Sequence, residues 1–189
     1  MAKVKKEIVK KTVTPKKKST AKQVKKAPAK KSPPFKAHTT GLKEGIKAPD
    51  FRGLNQEGKE FSLSDYKGKK VILFFYPEDD TQTCTVEACN LRDNLNLLKK
   101  DGYEVIGVSP DPVAKHKKYA DKYKFTFNLL ADTEMKAIKA YDVWGIKQLF
   151  GNIYDGLIRT TFIIDEQGTI QHIIRAVKSA THAQQIRNL

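Results

Sequence analysis

The chain has 189 residues, 36 Lys and Arg against 21 Asp and Glu for a formal net charge of +15, two cysteines and four histidines. That length suits one domain with an extension. Two cysteines cannot make a disulfide framework, no apolar run approaches the roughly 18 residues of a membrane span, and the N-terminus lacks the apolar stretch of a secretory signal. The expectation is a cytoplasmic chain with no membrane span and reduced thiols, a setting in which a close cysteine pair serves catalysis or metal binding more often than stapling.

The positive charge is concentrated at one end. Fourteen lysines and a single acid, Glu7, lie within the first 36 residues, and the rest of the chain is close to neutral. Stretches such as TPKKKSTAKQVKKAPAKKSPP (residues 14–34) hold too few large apolar groups to offset their ordering entropy. Residues 1–38 are therefore expected to be a disordered Lys-rich tail and residues 39–189 the folded domain. The tail resembles those of linker-histone-like proteins. Two readings stay open: a solubilising extension, or weak non-specific attraction to nucleic acid through phosphate contacts. Its lack of arginine argues against a mitochondrial transit peptide and its scarce serine against a plastid one, while in a eukaryote it would also read as a nuclear signal.

Along the domain, FRGLNQEGKEFSL (51–63) has two short alternating runs about the turn Asn55 to Gly58 and predicts a hairpin. VILFFY (71–76) is apolar at every position, as in a strand buried on both faces. Cys84, Ala88, Leu91, Leu95 and Leu98 then make a helical stripe ending near Gly102. YEVIGVS (103–109) predicts a second buried strand, and Asp111 with Pro112 predicts a helix whose cap is the aspartate. FNLLAD reads as a strand, EMKAIKAY as a short helix, RTTFIID and TIQHIIRAV as a hairpin turning at Glu166 to Gly168, and HAQQIRNL as a final helix. Strands alternating with helices and closing in a hairpin argue for an α/β, thioredoxin-like fold, a mixed central sheet flanked by helices on both faces.

Both cysteines fall in YPEDDTQTCTVEACN (76–90). Cys84 sits in the first turn of the predicted helix, where unsatisfied N–H groups and the positive end of the dipole favour thiolate over thiol. The benefit is bounded. A free cysteine is only about 3% ionised at pH 7, so complete ionisation multiplies the nucleophile by about 30 at most. Faster chemistry needs donors that converge on the sulfur and its reacting partner. Thr81 can aim its hydroxyl there, and Pro77 can fix and shield the loop. Glu87 opposes the thiolate if charged, so it is expected to be paired, with an arginine as the natural partner. Periodicity alone does not separate this nucleophile from a small buried hydrophobe.

Three separated motifs do. PEDDTQTCTVEAC (77–89), YDVWGIK (141–147) and GLIRTTFIID (156–165), in this order and spacing, resemble the peroxiredoxins, most closely the bacterioferritin-comigratory or peroxiredoxin Q subfamily. The resemblance implies that Cys84 is the peroxidatic cysteine and that Pro77 and Thr81 complete the proline, threonine and cysteine signature. It makes Arg159 the arginine that holds thiolate and peroxide, and puts Trp144 near the site. Cys89 occupies the resolving position used by part of the subfamily, the other possibility being a free helix cysteine. Two departures stand out: Gln82 and Thr83 replace the usual Pro-Gly before the cysteine, and the last helix is short.

By the same resemblance the activity is reduction of hydrogen peroxide and organic hydroperoxides through a cysteine sulfenic acid and an intramolecular disulfide, recycled by thioredoxin or a similar dithiol. No cofactor or metal is implied, and the protein is expected to be a monomer. The competing class is a nucleic-acid-associated protein whose tail binds DNA and whose domain is a carrier. One geometric consequence follows if residues 84–89 are helical. Their Cα atoms then lie about 8.6 Å apart, beyond the roughly 4.4 to 6.8 Å of a disulfide, so the helix start must unwind for the bond to close.

Overall fold

The computed structural model describes residues 35–149 and 151–189. Over residues 1–34 the expected disorder of the tail, and any nucleic-acid role for it, lie outside the described residues. The folded unit begins at Phe35. Residues 35–38, expected from composition to belong to the tail, lie on it. His38 donates its backbone N–H to the Ile146 carbonyl at 2.8 Å, and its ring Nε2 lies 3.0 Å from the Asp142 carbonyl oxygen.

The predicted hairpin is formed by β1 (Arg52–Leu54) and β2 (Glu60–Ser62), paired antiparallel. The apolar run beyond it becomes β3 (Lys70–Phe75), buried from Val71 onward. Such a strand needs cover on both faces, and it receives it as the middle of five. Strand β4 (Tyr103–Ser109) runs parallel to β3, and β5 (Asn128–Ala131) runs parallel to β4.

The helical stripe is split into α1 (Gln82–Asp93) and α2 (Leu95–Lys100). The break is at Asn94, whose side-chain amide donates back to the Asn90 carbonyl at 2.8 Å, the kind of local bond by which Asn competes with helix continuation. Cys84, Ala88, Leu91, Leu95 and Leu98 are nonetheless all buried on one face. Each of the large ones is worth roughly 1.5 to 3 kcal/mol of transfer free energy.

Helix α3 (Val113–Tyr123) starts one residue later than predicted. Pro112 takes the cap position in extended geometry, and Asp111 does not cap. The Asp111 carboxylate instead accepts from the Asp79 N–H at 2.7 Å, the Ser109 hydroxyl at 2.9 Å and the Lys115 ammonium at 2.8 Å. Tertiary donors outbid the local cap.

After α4 (Lys136–Ala140) comes a feature the sequence reading lacked, a two-stranded antiparallel ribbon of β6 (Trp144–Leu149) and β7 (Asn152–Leu157). Its turn uses Gly151 at φ 84°, and most of β7 is exposed. The sheet is completed by β8 (Thr160–Ile164), antiparallel to β3, and β9 (Ile170–Ile174), antiparallel to β8, giving the order β5-β4-β3-β8-β9. The chain closes with α5 (His182–Arg187).

Two apolar layers cover the sheet. Ile72 and Phe74 point to the side of α1, α2, α3 and α5, and Val71, Leu73 and Phe75 to the side of α4 and the β1-β2 hairpin. This is the predicted thioredoxin-like mixed sheet with helices on both faces. Among the described residues no helix is long and apolar enough to cross a membrane.

Candidate active site

Strand β3 delivers the chain into the segment 76–81, which must be held still if it is to aim the start of α1. Buried Tyr76 donates its hydroxyl to Asp79 Oδ1 at 2.7 Å, and Asp79 Oδ2 lies 2.7 Å from Nδ1 of the fully buried His116. The other ring nitrogen of His116 is 3.1 Å from the Leu130 carbonyl. With the Asp79 N–H on Asp111 and the Tyr76 N–H on the Val108 carbonyl, the segment is fastened to β4, to α3 and, through His116, to β5. Asp80 turns the chain at φ 61°, a conformation uncommon outside glycine, and Lys122 and Tyr123 both donate to its carboxylate. Gln82 and Thr83 enter the helix directly as its first two residues. With Gln82 and Thr83 in place of Pro-Gly, the segment is held by these side-chain anchors.

Cys84 is therefore the third residue of α1 and is 2% exposed. Arg159, between β7 and β8, donates from Nη2 to Cys84 Sγ at 3.0 Å and from Nη1 to Glu87 Oε2. One guanidinium thus joins two side chains three residues apart on the same helix face. Burial works against the Arg159 charge, but Glu87 and Cys84 outweigh it and raise the guanidinium further. Glu87, fully buried, is pushed up to about 7 by burial against the pull of Arg159. Glu87 was expected to be paired with an arginine, and the arginine is Arg159, the same one that reaches the sulfur.

The other predicted residues divide. Pro77, Thr81, Cys84 and Arg159 meet in one groove of about 870 Å³. The Thr81 hydroxyl, however, donates to the Glu78 carbonyl at 3.1 Å, with no hydrogen bond to the sulfur. Cys89 is half-buried further along α1 and does not line the groove, and burial raises its thiol, with Arg92 opposing. Trp144 is 38% exposed on β6 and also stands outside the groove lining.

Two residues, one in the groove and one behind Glu87, escaped sequence reading. Lys147 of β6 reaches the groove, donates to the Leu157 carbonyl at 2.9 Å and lies 5.2 Å from the Tyr154 ring centre. Burial and the repulsion of Arg159 lower its ammonium, against the pull of Cys84. Its stem passes over Gly156, where a Cβ would sit 2.7 Å from Lys147 Cε, so the missing side chain is what admits it. His182 of α5 is fully buried, 3.7 Å from Glu87 Oε1. Burial pulls it down to about 4, with Gln185 opposing and Arg159 adding to the fall. A single histidine in a short C-terminal segment carried no periodic or motif signal.

Residues 45–173 match the AhpC/TSA family. The chain is 40% identical over 147 residues to Peroxiredoxin Bcp of Escherichia coli (strain K12), covering 78% of this chain and 94% of that protein. It is 44% identical over 138 residues to Peroxiredoxin Bcp of Bacillus subtilis (strain 168), covering 73% and 88%. Among solved structures, the bacterioferritin comigratory protein of Xanthomonas campestris, described for its alkyl peroxide reduction activity, superimposes with a TM-score of 0.70 at 28% identity, over 76% of this chain and 94% of that one. Peroxidoxin BcpB of Mycobacterium tuberculosis gives 0.67 at 32% identity, over 76% and 93%.

Proposed function

Because the chain belongs to the AhpC/TSA family and is a peroxiredoxin, a thiol peroxidase, we propose that Cys84 is its peroxidatic sulfur and that Arg159 holds sulfur and peroxide together. The observation that carries this is the 3.0 Å bond from Arg159 Nη2 to Cys84 Sγ at the floor of the groove. The thiolate attacks one peroxide oxygen and the O–O bond breaks. The other oxygen leaves with the electron pair, takes a proton and departs as water or an alcohol, and Cys84 becomes a sulfenic acid. Arg159 donors and the first-turn N–H groups of α1 face the charge as it moves from sulfur to oxygen. Thr81 and Pro77 shape the approach to the sulfur.

The groove is large for hydrogen peroxide alone. At about 870 Å³, with Tyr154, Leu157 and Ile158 in its lining, it has room for the apolar body of an organic hydroperoxide as well. Cys89 then attacks the sulfenic sulfur, releasing water and forming the disulfide. Both cysteines lie in α1, at a helical separation of about 8.6 Å between Cα atoms, so its first turns unwind before the bond closes. The unwound segment is what thioredoxin or another dithiol meets when it reduces the disulfide by thiol exchange. We place the protein in the cytoplasm and take it to act as a monomer. The carrier reading fares worse, since a carrier has no use for a cysteine, an arginine and a buried carboxyl joined in one hydrogen-bonded set.

The test is peroxide turnover with thioredoxin and thioredoxin reductase, run beside Cys89→Ser. That variant is expected to complete one round of Cys84 oxidation at the wild-type rate and then to lose or slow thioredoxin-linked turnover. Undiminished turnover in Cys89→Ser removes the resolving role from Cys89 and leaves that of Cys84 standing.

A further inference from the structure

Two acidic groups compete for one cation at this site. Cys84 Sγ and Glu87 both take Arg159 donors, and among the described residues no other cation is hydrogen-bonded to either of them, Lys147 acting on the sulfur at longer range while it donates to the Leu157 carbonyl. If both ionise, a buried cluster carries a net negative charge, and every share of Arg159 drawn to the carboxylate is lost to the sulfur. The protonation state of Glu87 therefore bears on the sulfur, and hydrogen-bond geometry decides it.

Glu87 Oε2 accepts from Arg159, whereas Oε1 is buried and has no hydrogen-bond partner. A candidate donor, His182 Nε2, stands 3.7 Å away. Whether that nitrogen carries a proton depends on the far side of the ring. His182 Nδ1 lies 3.3 Å from Gln185 Oε1. The orientation of that amide is set independently: its Oε1 accepts from the Lys178 N–H at 2.9 Å and its Nε2 donates to the Ala176 carbonyl at 2.9 Å. Facing an oxygen acceptor, Nδ1 holds the proton, and Nε2 keeps a lone pair that the Thr161 hydroxyl meets at 2.9 Å. His182 has no proton to give Glu87. An ionised carboxylate with one bare oxygen in a dry site is costly, and the neutral carboxyl avoids most of that cost.

We propose that His182 is a positioning residue for the peroxidase reaction: locked by Gln185 with its proton on Nδ1, it withholds a donor from Glu87, keeps that carboxyl neutral, and so leaves the Arg159 charge to Cys84. The proposal rests on the reading of Cys84 and Arg159 given above. Its surroundings are closed. Around Glu87 stand Arg159 from the segment between β7 and β8, His182 from α5 and Cys84 from its own helix; around His182 stand Glu87, Arg159, Thr161 and Gln185. The direction of both titrations agrees, Glu87 raised to about 7 and His182 lowered to about 4, each chiefly by burial.

The experiment is stopped-flow oxidation of the reduced full-length protein by hydrogen peroxide for wild type, His182→Ala, Glu87→Gln and the double variant, from about pH 5.5 to 8. In wild type the reaction itself tests the peroxidase reading; the variants test His182. Opening water access to Oε1, His182→Ala is expected to slow oxidation about tenfold at pH 7. The loss should shrink toward pH 5.5, where Glu87 is protonated in either protein. In the Glu87→Gln background the same substitution should change the rate by less than about twofold. An equal loss in both backgrounds at every pH, the mark of a merely structural role, overturns the proposal. Gln185→Leu, at a half-buried position, frees the tautomer and also gives up the bonds to Lys178 and Ala176, so thermal unfolding is measured beside it; it should slow the reaction in the same direction, only where Glu87 is present. Wild-type rates in that variant also overturn it.

Discussion

Cys84→Ser is expected to reduce peroxide consumption to background, a loss of at least about 10⁴-fold, in a protein that still folds. The substitution exchanges sulfur for oxygen in a side chain that is 2% exposed, and Arg159 Nη2 retains an acceptor to which it can donate. Packing is therefore largely preserved. What disappears is the nucleophile, because a serine hydroxyl does not ionise near neutral pH. Peroxide consumption and thermal unfolding measured on the same preparation separate the two effects. A Cys84→Ser protein that folds and still turns over peroxide places the chemistry elsewhere.

Arg159→Ala should carry the second largest effect, about 10²- to 10³-fold on the rate of Cys84 oxidation, the usual cost of removing one donor from an oxyanion-type site. Its guanidinium is the only side chain hydrogen-bonded to the sulfur among the described residues. Its loss also strips Glu87 Oε2 of its partner, and a carboxyl already raised to about 7 by burial then has still less reason to ionise. The fold should tolerate the change better than the chemistry does, since the remaining Glu87 can stay neutral. Arg159→Lys is expected to recover only part of the rate. An ammonium is a point charge and lacks the planar fork that serves Sγ and Oε2 together. Stopped-flow oxidation at pH 7 measures all three proteins, and a wild-type rate in Arg159→Ala removes the arginine from the mechanism.

The parts of this fold that a reader can see in the sequence are those where one force dominates. VILFFY and YEVIGVS are apolar at nearly every position because both their faces are covered, and they became neighbouring parallel strands. The stripe from Cys84 to Leu98 placed the cysteine at a helix start, and the motifs named Arg159 as its partner. Where local and tertiary forces compete, local pattern misleads. Asp111 looks like a helix cap and is taken instead by Asp79, Ser109 and Lys115. The β6-β7 ribbon was invisible because WGIKQL and NIYDGL mix charge, glycine and apolar residues with much of β7 exposed. Thr81 was expected to aim its hydroxyl at the sulfur; it lines the groove, but the hydroxyl's acceptor, a carbonyl three residues back, is a matter of loop geometry. His182 and Glu87 are 95 residues apart in the chain, and only the packing of α5 against α1 brings them together.

The most direct single measurement treats the reduced protein with one equivalent of peroxide, alkylates the remaining thiols and maps both cysteines by mass spectrometry, with amide exchange followed across residues 82–93. The expected result is a Cys84–Cys89 disulfide, with the first turns of α1 exchanging faster than in the reduced protein. Peroxide consumed while Cys84 stays fully alkylatable would contradict the assignment of this sulfur as the reacting atom.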